Sequence, residues 1–220
     1  YFVYHQFILT TLIGEYNLWV GNTLLSNGGQ ISGGFNALTT FTDAHGFFGL
    51  KARAHAEFWS FIFAYPFIFI KLCFIRLIRY FSLIRPMGFW FYQTGLTQLI
   101  FVVSSAVAIA VLFISGFSGM VMAWKENKSL FYYLIIIALI SPLVLIPTVV
   151  QSRYRFQIYP FLAIFGGYAL VAFYNKKVIL KKIFVIVGLF LLLISLIDSV
   201  YFLPTIIERI NKFKVIGIVM

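Results

Sequence analysis

Residues 183–203 read IFVIVGLFLLLISLIDSVYFL, and Asp198 is the only charged residue among them. About 20 apolar residues are enough for a helix to cross the hydrocarbon core of a bilayer. Three more apolar segments lie upstream, at residues 96–123, 130–150 and 158–174. We predict that all four cross a membrane, so that residues 87–220 form a bundle of about four transmembrane helices. Gly166 and Gly167 in the third segment would let a neighbouring helix pack closely.

The composition also indicates a membrane protein, of the all-α, polytopic class. Hydrophobic residues make up 62% of the chain and charged residues 10%, against about 25% charged in soluble domains. The net charge of +11 is spread between and beside the apolar segments, which is typical of topology signals and lipid-head contacts rather than of nucleic-acid binding. The single cysteine excludes an intramolecular disulfide, and the three histidines lack metal-ligand spacing. We therefore expect neither a metal site nor a cofactor.

The N-terminal part, residues 1–57, contrasts with the rest. A short apolar segment, residues 1–13, precedes a stretch rich in Gly, Asn, Ser and Thr at residues 14–57. Such residues favour turns, so we predict a loop outside the membrane. The chain begins with Tyr1 rather than Met, and we expect it to be part of a longer protein.

Residues 58–86 are apolar but contain Pro66 and several cations. At 100° per residue, three cations and Ser82 fall within an arc of about 140°. They are Lys71, Arg76 and Arg79. Large apolar residues occupy the opposite arc. This pattern predicts an amphipathic helix lying in the membrane interface.

Cations in the short links between the apolar segments set the expected orientation. Six Lys residues flank one side of the membrane, against Arg153 and Arg155 on the other. The Lys-rich side should be cytoplasmic, which puts residues 14–57 and the two Arg residues on the outer face. Four more cations are then also outside, against the rule: Lys71, Arg76, Arg79 and Arg85. This conflict indicates that a group at the outer face attracts positive charge.

Two sets of residues could bind a ligand. Arg153, Tyr154 and Arg155 lie in a short link, where guanidinium groups could hold a lipid phosphate or simply extend to ordinary lipid heads. Lys71 could hold the same phosphate or belong to a generic interfacial helix. In the loop, Asn17, Trp19 and Asn22 could bind sugar hydroxyls or simply form turns. Asp198 could contact solvent or another helix, or have a function of its own.

Three segments in this order resemble a known family. The first is Phe7-Ile8-Leu9-Thr10 followed by Gly14-Glu15-Tyr16-Asn17-Leu18-Trp19-Val20-Gly21-Asn22. The second is Tyr65-Pro66 with Lys71 downstream, and the third is Arg153-Tyr154-Arg155-Phe156-Gln157-Ile158-Tyr159-Pro160-Phe161-Leu162. The set resembles the C-terminal part of GT-C type membrane glycosyltransferases, the bacterial family 39 relatives of protein O-mannosyltransferases and aminoarabinose transferases. Gln157 stands where that family has its first Pro.

The resemblance implies an enzyme of the bacterial plasma (inner) membrane that moves a sugar from a polyprenyl-phosphate carrier to an acceptor outside. It implies donor-phosphate binding by Arg153, Tyr154, Arg155 and Lys71. It also implies a catalytic carboxylate upstream of Tyr1, so no catalytic residue is assigned here. A transporter or flippase for lipid-linked saccharides and a non-catalytic membrane subunit are the alternatives. A transporter would need a polar path, for which residues 96–123 and 183–203 offer few polar groups.

Overall fold

The computed structural model describes residues 14–28, 34–83, 95–126, 129–150, 152–175 and 178–215. Within these ranges the chain is all-α, as predicted, and contains no strand. The elements are α1 (Gly14–Gly21), α2 (Gly34–Ala64), α3 (Pro66–Phe81), α4 (Gly95–Lys125), α5 (Ser129–Leu145), a 3-10 helix (Ser152–Gln157), α6 (Tyr159–Tyr174) and α7 (Val178–Val215). The apolar segment at residues 1–13 lies outside the described ranges.

Two of the described helices are long and apolar enough to cross a membrane. Val103–Lys125 lies in α4 and Lys181–Leu203 in α7, and both match predicted spans. A third span is possible if Phe48–Ala64 and Pro66–Phe81 count as one, although they meet at a bend of 106°. The other two predicted spans correspond to shorter helices. Helix α5 ends at Leu145, two residues before Pro147, which disfavours helix in the residue preceding it.

The predicted loop at residues 14–57 is wrong for much of its described length. Residues 14–21 form α1, and residues 34–57 belong to α2. Gly46 interrupts α2 with a φ of 69°, a backbone conformation that glycine adopts without strain. After it come Leu, Lys, Arg, Glu and several Ala, which favour helix. The Gly and Asn content of the whole stretch concealed this local change in composition.

Helix α3 has the predicted division into a polar and an apolar arc, but the polar arc faces inward. Arg76, Arg79 and Ser82 are buried, whereas Lys71 is exposed. The apolar arc is exposed, and Phe67 reaches 85%. A helix lying in the interface would turn its cations toward water. Two of the three cations are instead buried, so the polar arc belongs to the protein interior. The exposed apolar arc is suited to contact with lipid.

The described part of the chain forms two compact units. Unit 1 comprises Tyr1–Leu77 and Ser141–Tyr154, and unit 2 comprises Ile78–Ile140 and Arg155–Met220. In unit 1, α1 packs on α2 around a small core. The core consists of Tyr16, Val20 and Leu50, with Trp19 packed against it.

In unit 2, α4 packs against both α6 and α7. Glycines allow the backbones of α4 and α6 to touch. A Cβ on Gly119 would overlap the Phe165 carbonyl group, and one on Gly166 would lie 2.8 Å from Ser115 Oγ. The predicted close packing at Gly166 is therefore confirmed, whereas a Cβ on Gly167 would meet nothing within 4 Å.

Candidate functional site

Asn22, the last residue of the first sequence signature, joins two helix ends in unit 1. Its side chain is 1% exposed. The amide Nδ2 donates to Leu18 O at 2.6 Å and to Pro147 O at 2.8 Å. Its backbone N–H donates to Trp19 O at 2.9 Å. The last carbonyls of a helix have no donor within it. Asn22 supplies donors to two of these carbonyls at the end of α1.

Arg76 of α3 supplies further donors at the same place. Its Nη1 donates to Asn22 Oδ1 at 3.0 Å. The same nitrogen contacts Ile146 O and Pro147 O, both at 3.1 Å. Its Nη2 donates to Gly21 O. One fully buried guanidinium therefore binds carbonyls just beyond α5 and at the end of α1. We call Arg76, Asn22 and the carbonyls of Gly21, Ile146 and Pro147 the Arg76 node.

The Arg76 node requires a glycine at position 21. A Cβ there would overlap the Thr148 carbonyl oxygen and would lie 2.8 Å from Val149 Cγ2. Thr148 is itself fixed, because its N–H and its Oγ1 both donate to Leu145 O, at 3.0 and 2.8 Å. The Gly-Asn pair that ends the first signature therefore has a structural explanation. Gly21 permits the close approach, and Asn22 makes the hydrogen bonds.

The two other predicted sugar-binding residues have different surroundings. Trp19 is half-buried and packs on the core formed by Tyr16, Val20 and Leu50. Burial raises the pKa of the Tyr16 phenol above its ordinary value. Asn17 is half-exposed and remains open to a ligand. Of the three predicted residues, Asn22 is engaged in the node and Trp19 in packing.

The predicted phosphate-binding residues of unit 1 are only partly described. Lys71 is exposed on α3, and Tyr154 is half-buried in the 3-10 helix. The backbone of Arg153 belongs to the same 3-10 helix, but its side chain lies outside the described part of the structure. Glu57 of α2 forms an ion pair with Arg53 at 3.0 Å. Lys71 therefore has the exposure that a lipid phosphate would require.

In unit 2, Arg155 lies in the interior, with 1% of its surface exposed. Its Nη2 donates to Ser82 O at 2.6 Å, and its guanidinium lies 4.9 Å from the centre of the Phe113 ring. The next backbone group, the Leu83 N–H, donates to Ser195 Oγ at 2.8 Å. The peptide just after α3 is thus bound on both sides, by a guanidinium and by a hydroxyl. This position gives Arg155 a structural role, and its contact with a donor phosphate stays a prediction.

Two further polar residues lie buried in unit 2. The Arg79 guanidinium is 3.9 Å from the centre of the Phe202 ring. Asp198, one helical turn before Phe202, is buried like Ser195 on the same face of α7. A buried acid in an apolar helix is a functional candidate. The sequence indicated Asp198 as a candidate residue, but it did not predict that Arg79 is buried as well.

Arg76 is the main residue of the site whose role the sequence did not predict. Its place in the polar arc of α3 was a signal, but its partners are mostly backbone carbonyls, which any residue could supply. Among the described residues, no group of three or more His, Cys, Asp or Glu side chains could hold a metal ion. Comparison of the chain with protein-family models, with curated proteins and with solved structures gives no match.

Proposed function

We propose that this protein is part of a membrane glycosyltransferase of the GT-C type, which moves a sugar from a polyprenyl-phosphate donor to an acceptor at the extracytoplasmic face. The proposal rests on the three ordered signatures in the sequence. One observation from the fold adds support. The described parts of the first two signatures, and the start of the third, belong to unit 1.

The Arg76 node is the observation that carries the proposal furthest. It joins the end of the first signature to the helix that contains Pro66 and Lys71 of the second, and to the carbonyls six and seven residues before the third. Segments far apart in the sequence therefore share one buried set of hydrogen bonds. This arrangement suits a rigid platform that holds ligand-binding residues on its surface. A binding protein could use the same platform. The residues that distinguish an enzyme are therefore those on the surface of the platform, which would contact the donor.

In the proposed mechanism, Lys71 and Arg153 contact the donor phosphate. Transfer of the sugar leaves negative charge on the lipid phosphate, and fixed cations lower the energy of that charge in the transition state. Arg155 acts as a positioning residue, because its guanidinium is engaged with Ser82 O and the Phe113 ring. Asn17 is open to a sugar or acceptor hydroxyl. The base that activates the acceptor would come from the carboxylate that the resemblance implies upstream of Tyr1.

The test measures transfer from a radiolabelled polyprenyl-phosphate sugar by the natural protein in membranes. Lys71→Met and Arg153→Gln should each lower kcat/KM for the donor by about 10- to 100-fold, since a hydrogen bond to a charged group contributes about 1.5–3 kcal/mol. Lys51→Met is the matched control, because Lys51 is also exposed but lies outside the signatures. It should leave transfer unchanged.

Arg155→Ala separates positioning from binding. It should lower the stability and yield of the protein while leaving the donor KM of the folded fraction within about twofold. A large rise in that KM at normal stability would assign Arg155 to the phosphate instead. Failure of the natural protein to transfer sugar from any lipid-phosphate donor would rule out the proposal.

The transporter alternative gains one observation, the burial of Asp198 and Ser195 in the candidate span Lys181–Leu203. Buried ionisable groups in membrane helices often mark a pathway for polar solutes. The same labelled donor distinguishes the two functions. Movement of the intact lipid-linked sugar across vesicle membranes, without transfer to an acceptor, would favour the transporter over the enzyme.

A further inference from the structure

The bend between α2 and α3 contains an uncharged run bounded by charged residues at both ends. Residues 58–70 read FWSFIFAYPFIFI. Before them, Arg53 and Glu57 form an ion pair whose side chains are 54% and 39% exposed. After them comes Lys71, which is exposed. Exposed charges are costly inside a bilayer, so the run between them is the part of this bend that is best suited to the hydrocarbon region.

This run is too short to cross a membrane. Even as a straight helix, these residues would extend only about 20 Å, against about 30 Å of hydrocarbon. The two helices meet at a bend of 106°, so the second turns back relative to the first. With that bend, the two ends of the run lie roughly 11 Å apart. This geometry lets the charges at both ends reach water on the same side.

The side chains around the bend suit a lipid environment. Phe63 is 78% exposed, and Trp59, Tyr65 and Phe67 are also exposed. Trp59 and Phe63 stack with ring centres 6.1 Å apart, and Trp59 Nε1 donates to His55 Nε2 at 3.1 Å. Trp and Tyr prefer the membrane interface, where the ring can be apolar on one side and hydrogen-bonded on the other. We call residues 58–70 the aromatic wedge.

We propose that the aromatic wedge enters one leaflet of the bilayer and leaves it on the same side, rather than crossing it. Three exposed cations at its ends, Lys51, Arg53 and Lys71, outnumber Glu57 and match the anionic head groups of lipids. The partner of this surface is thus a single anionic leaflet. The proposal is independent of glycosyl transfer, since it depends only on charge, length and exposure.

The experiment uses single-cysteine variants of the whole chain in a Cys73→Ser background, because Cys73 is its only cysteine. Arg53→Cys and Lys71→Cys are treated with a membrane-impermeant maleimide in intact cells and again after permeabilisation. Phe63→Cys and Phe67→Cys carry nitroxide labels in vesicles, and power-saturation EPR compares collisions with oxygen and with a water-soluble nickel complex. All four sites are exposed or partly exposed, so the substitutions leave the interior unchanged.

Arg53→Cys and Lys71→Cys should be labelled from the same side. The labels at positions 63 and 67 should collide at least fivefold more readily with oxygen than with the nickel complex. Labelling of Arg53→Cys and Lys71→Cys from opposite sides would show a broken span and overturn the proposal. Equal collision of the wedge labels with both reagents would place the wedge in water and would also overturn it.

A second measurement tests the anionic partner. The label at Phe67→Cys should lie deeper in vesicles of phosphatidylglycerol and phosphatidylcholine than in phosphatidylcholine alone, and Lys71→Gln should remove at least half of that difference. Equal depth in both kinds of vesicle would overturn the preference for an anionic leaflet. Absence of sugar transfer by the natural protein, with the labelling as expected, would contradict the proposed enzyme function but not the wedge.

Discussion

In unit 1, one guanidinium binds four oxygen atoms from two parts of the chain, whereas in unit 2 glycines let the backbones of α4 and α6 touch. The first arrangement depends on hydrogen bonds and the second on van der Waals packing. Both serve a protein whose helices are suited to lipid, where apolar surfaces gain little by leaving the surrounding hydrocarbon. Unit 1 thus associates its helices through hydrogen bonds, and unit 2 through close van der Waals packing.

Helix length explains why the units differ. Helix α1 is short and α5 ends at Leu145, so both leave carbonyl groups in the interior of unit 1. Buried backbone groups need hydrogen-bond partners, and Arg76 and Asn22 supply them. Helices α4 and α6 instead run side by side, and their internal hydrogen bonds are complete along most of the contact. A small residue at the contact then matters more than a polar one.

The largest expected effect comes from removing the guanidinium of the Arg76 node. Arg76→Met leaves Asn22 Oδ1 and the carbonyls of Gly21, Ile146 and Pro147 without this donor. Because each buried group left unsatisfied costs about 1–3 kcal/mol, we expect the free energy of unfolding to fall by at least about 3 kcal/mol. Chemical unfolding of the protein in detergent measures this value.

Lys71→Met is the control, because it makes the same kind of substitution at an exposed position of the same helix. It should change the free energy of unfolding by less than about 0.5 kcal/mol. If the two variants were equally stable, the hydrogen bonds of Arg76 would contribute nothing net. The contrast between a polar unit 1 and a packed unit 2 would then be lost.

The next effect tests the packing in unit 2. Gly119→Ala directs a methyl group at the Phe165 carbonyl, so α4 and α6 must move apart. Overpacking of this kind costs about 1–3 kcal/mol, which should exceed the gain in helix propensity. Thermal unfolding in detergent should show a lower midpoint for this variant.

Gly167→Ala is the matched control on α6, since its methyl group meets nothing within 4 Å. It should leave the midpoint unchanged or raise it, because alanine favours helix by about 1 kcal/mol over glycine. A fall of equal size for both variants would mean that glycine flexibility, and not the close approach, explains the loss.

The sequence predicted the features that composition and periodicity determine. Residues 183–203 and 96–123 are predominantly apolar, and both contain long helices in the structure. The division of α3 into a polar and an apolar arc also followed from the spacing of Lys71, Arg76 and Arg79. Which way the polar arc faces could not be predicted, because water and a polar interior attract the same side chains.

The partners of the buried guanidiniums were equally hidden. Arg155 donates to Ser82 O, and Arg76 donates to three carbonyls. Every residue has a carbonyl group, so these acceptors leave no trace in the amino-acid sequence. The R-Y-R pattern gave the chemistry of the donor but not its surroundings. Helix α2 was missed for a different reason, since the helix-forming residues after Gly46 follow a stretch rich in turn residues.

The smallest expected effect comes from removing a single hydrogen bond in unit 2, where Arg76 makes several in unit 1. Ser195→Ala removes the acceptor of the Leu83 N–H, while the carbonyl of Leu191, to which Ser195 Oγ also donates, keeps its place in α7. We expect the free energy of unfolding to fall by about 1 kcal/mol, with faster hydrogen exchange at Leu83. Ser199→Ala is the control, because Ser199 Oγ donates back to Ser195 O within the same helix, and its loss should have little effect. Unchanged exchange at Leu83 in Ser195→Ala would show that this bond does not hold the end of α3, and that the Arg155 bond to Ser82 O and the packing of unit 2 hold it instead.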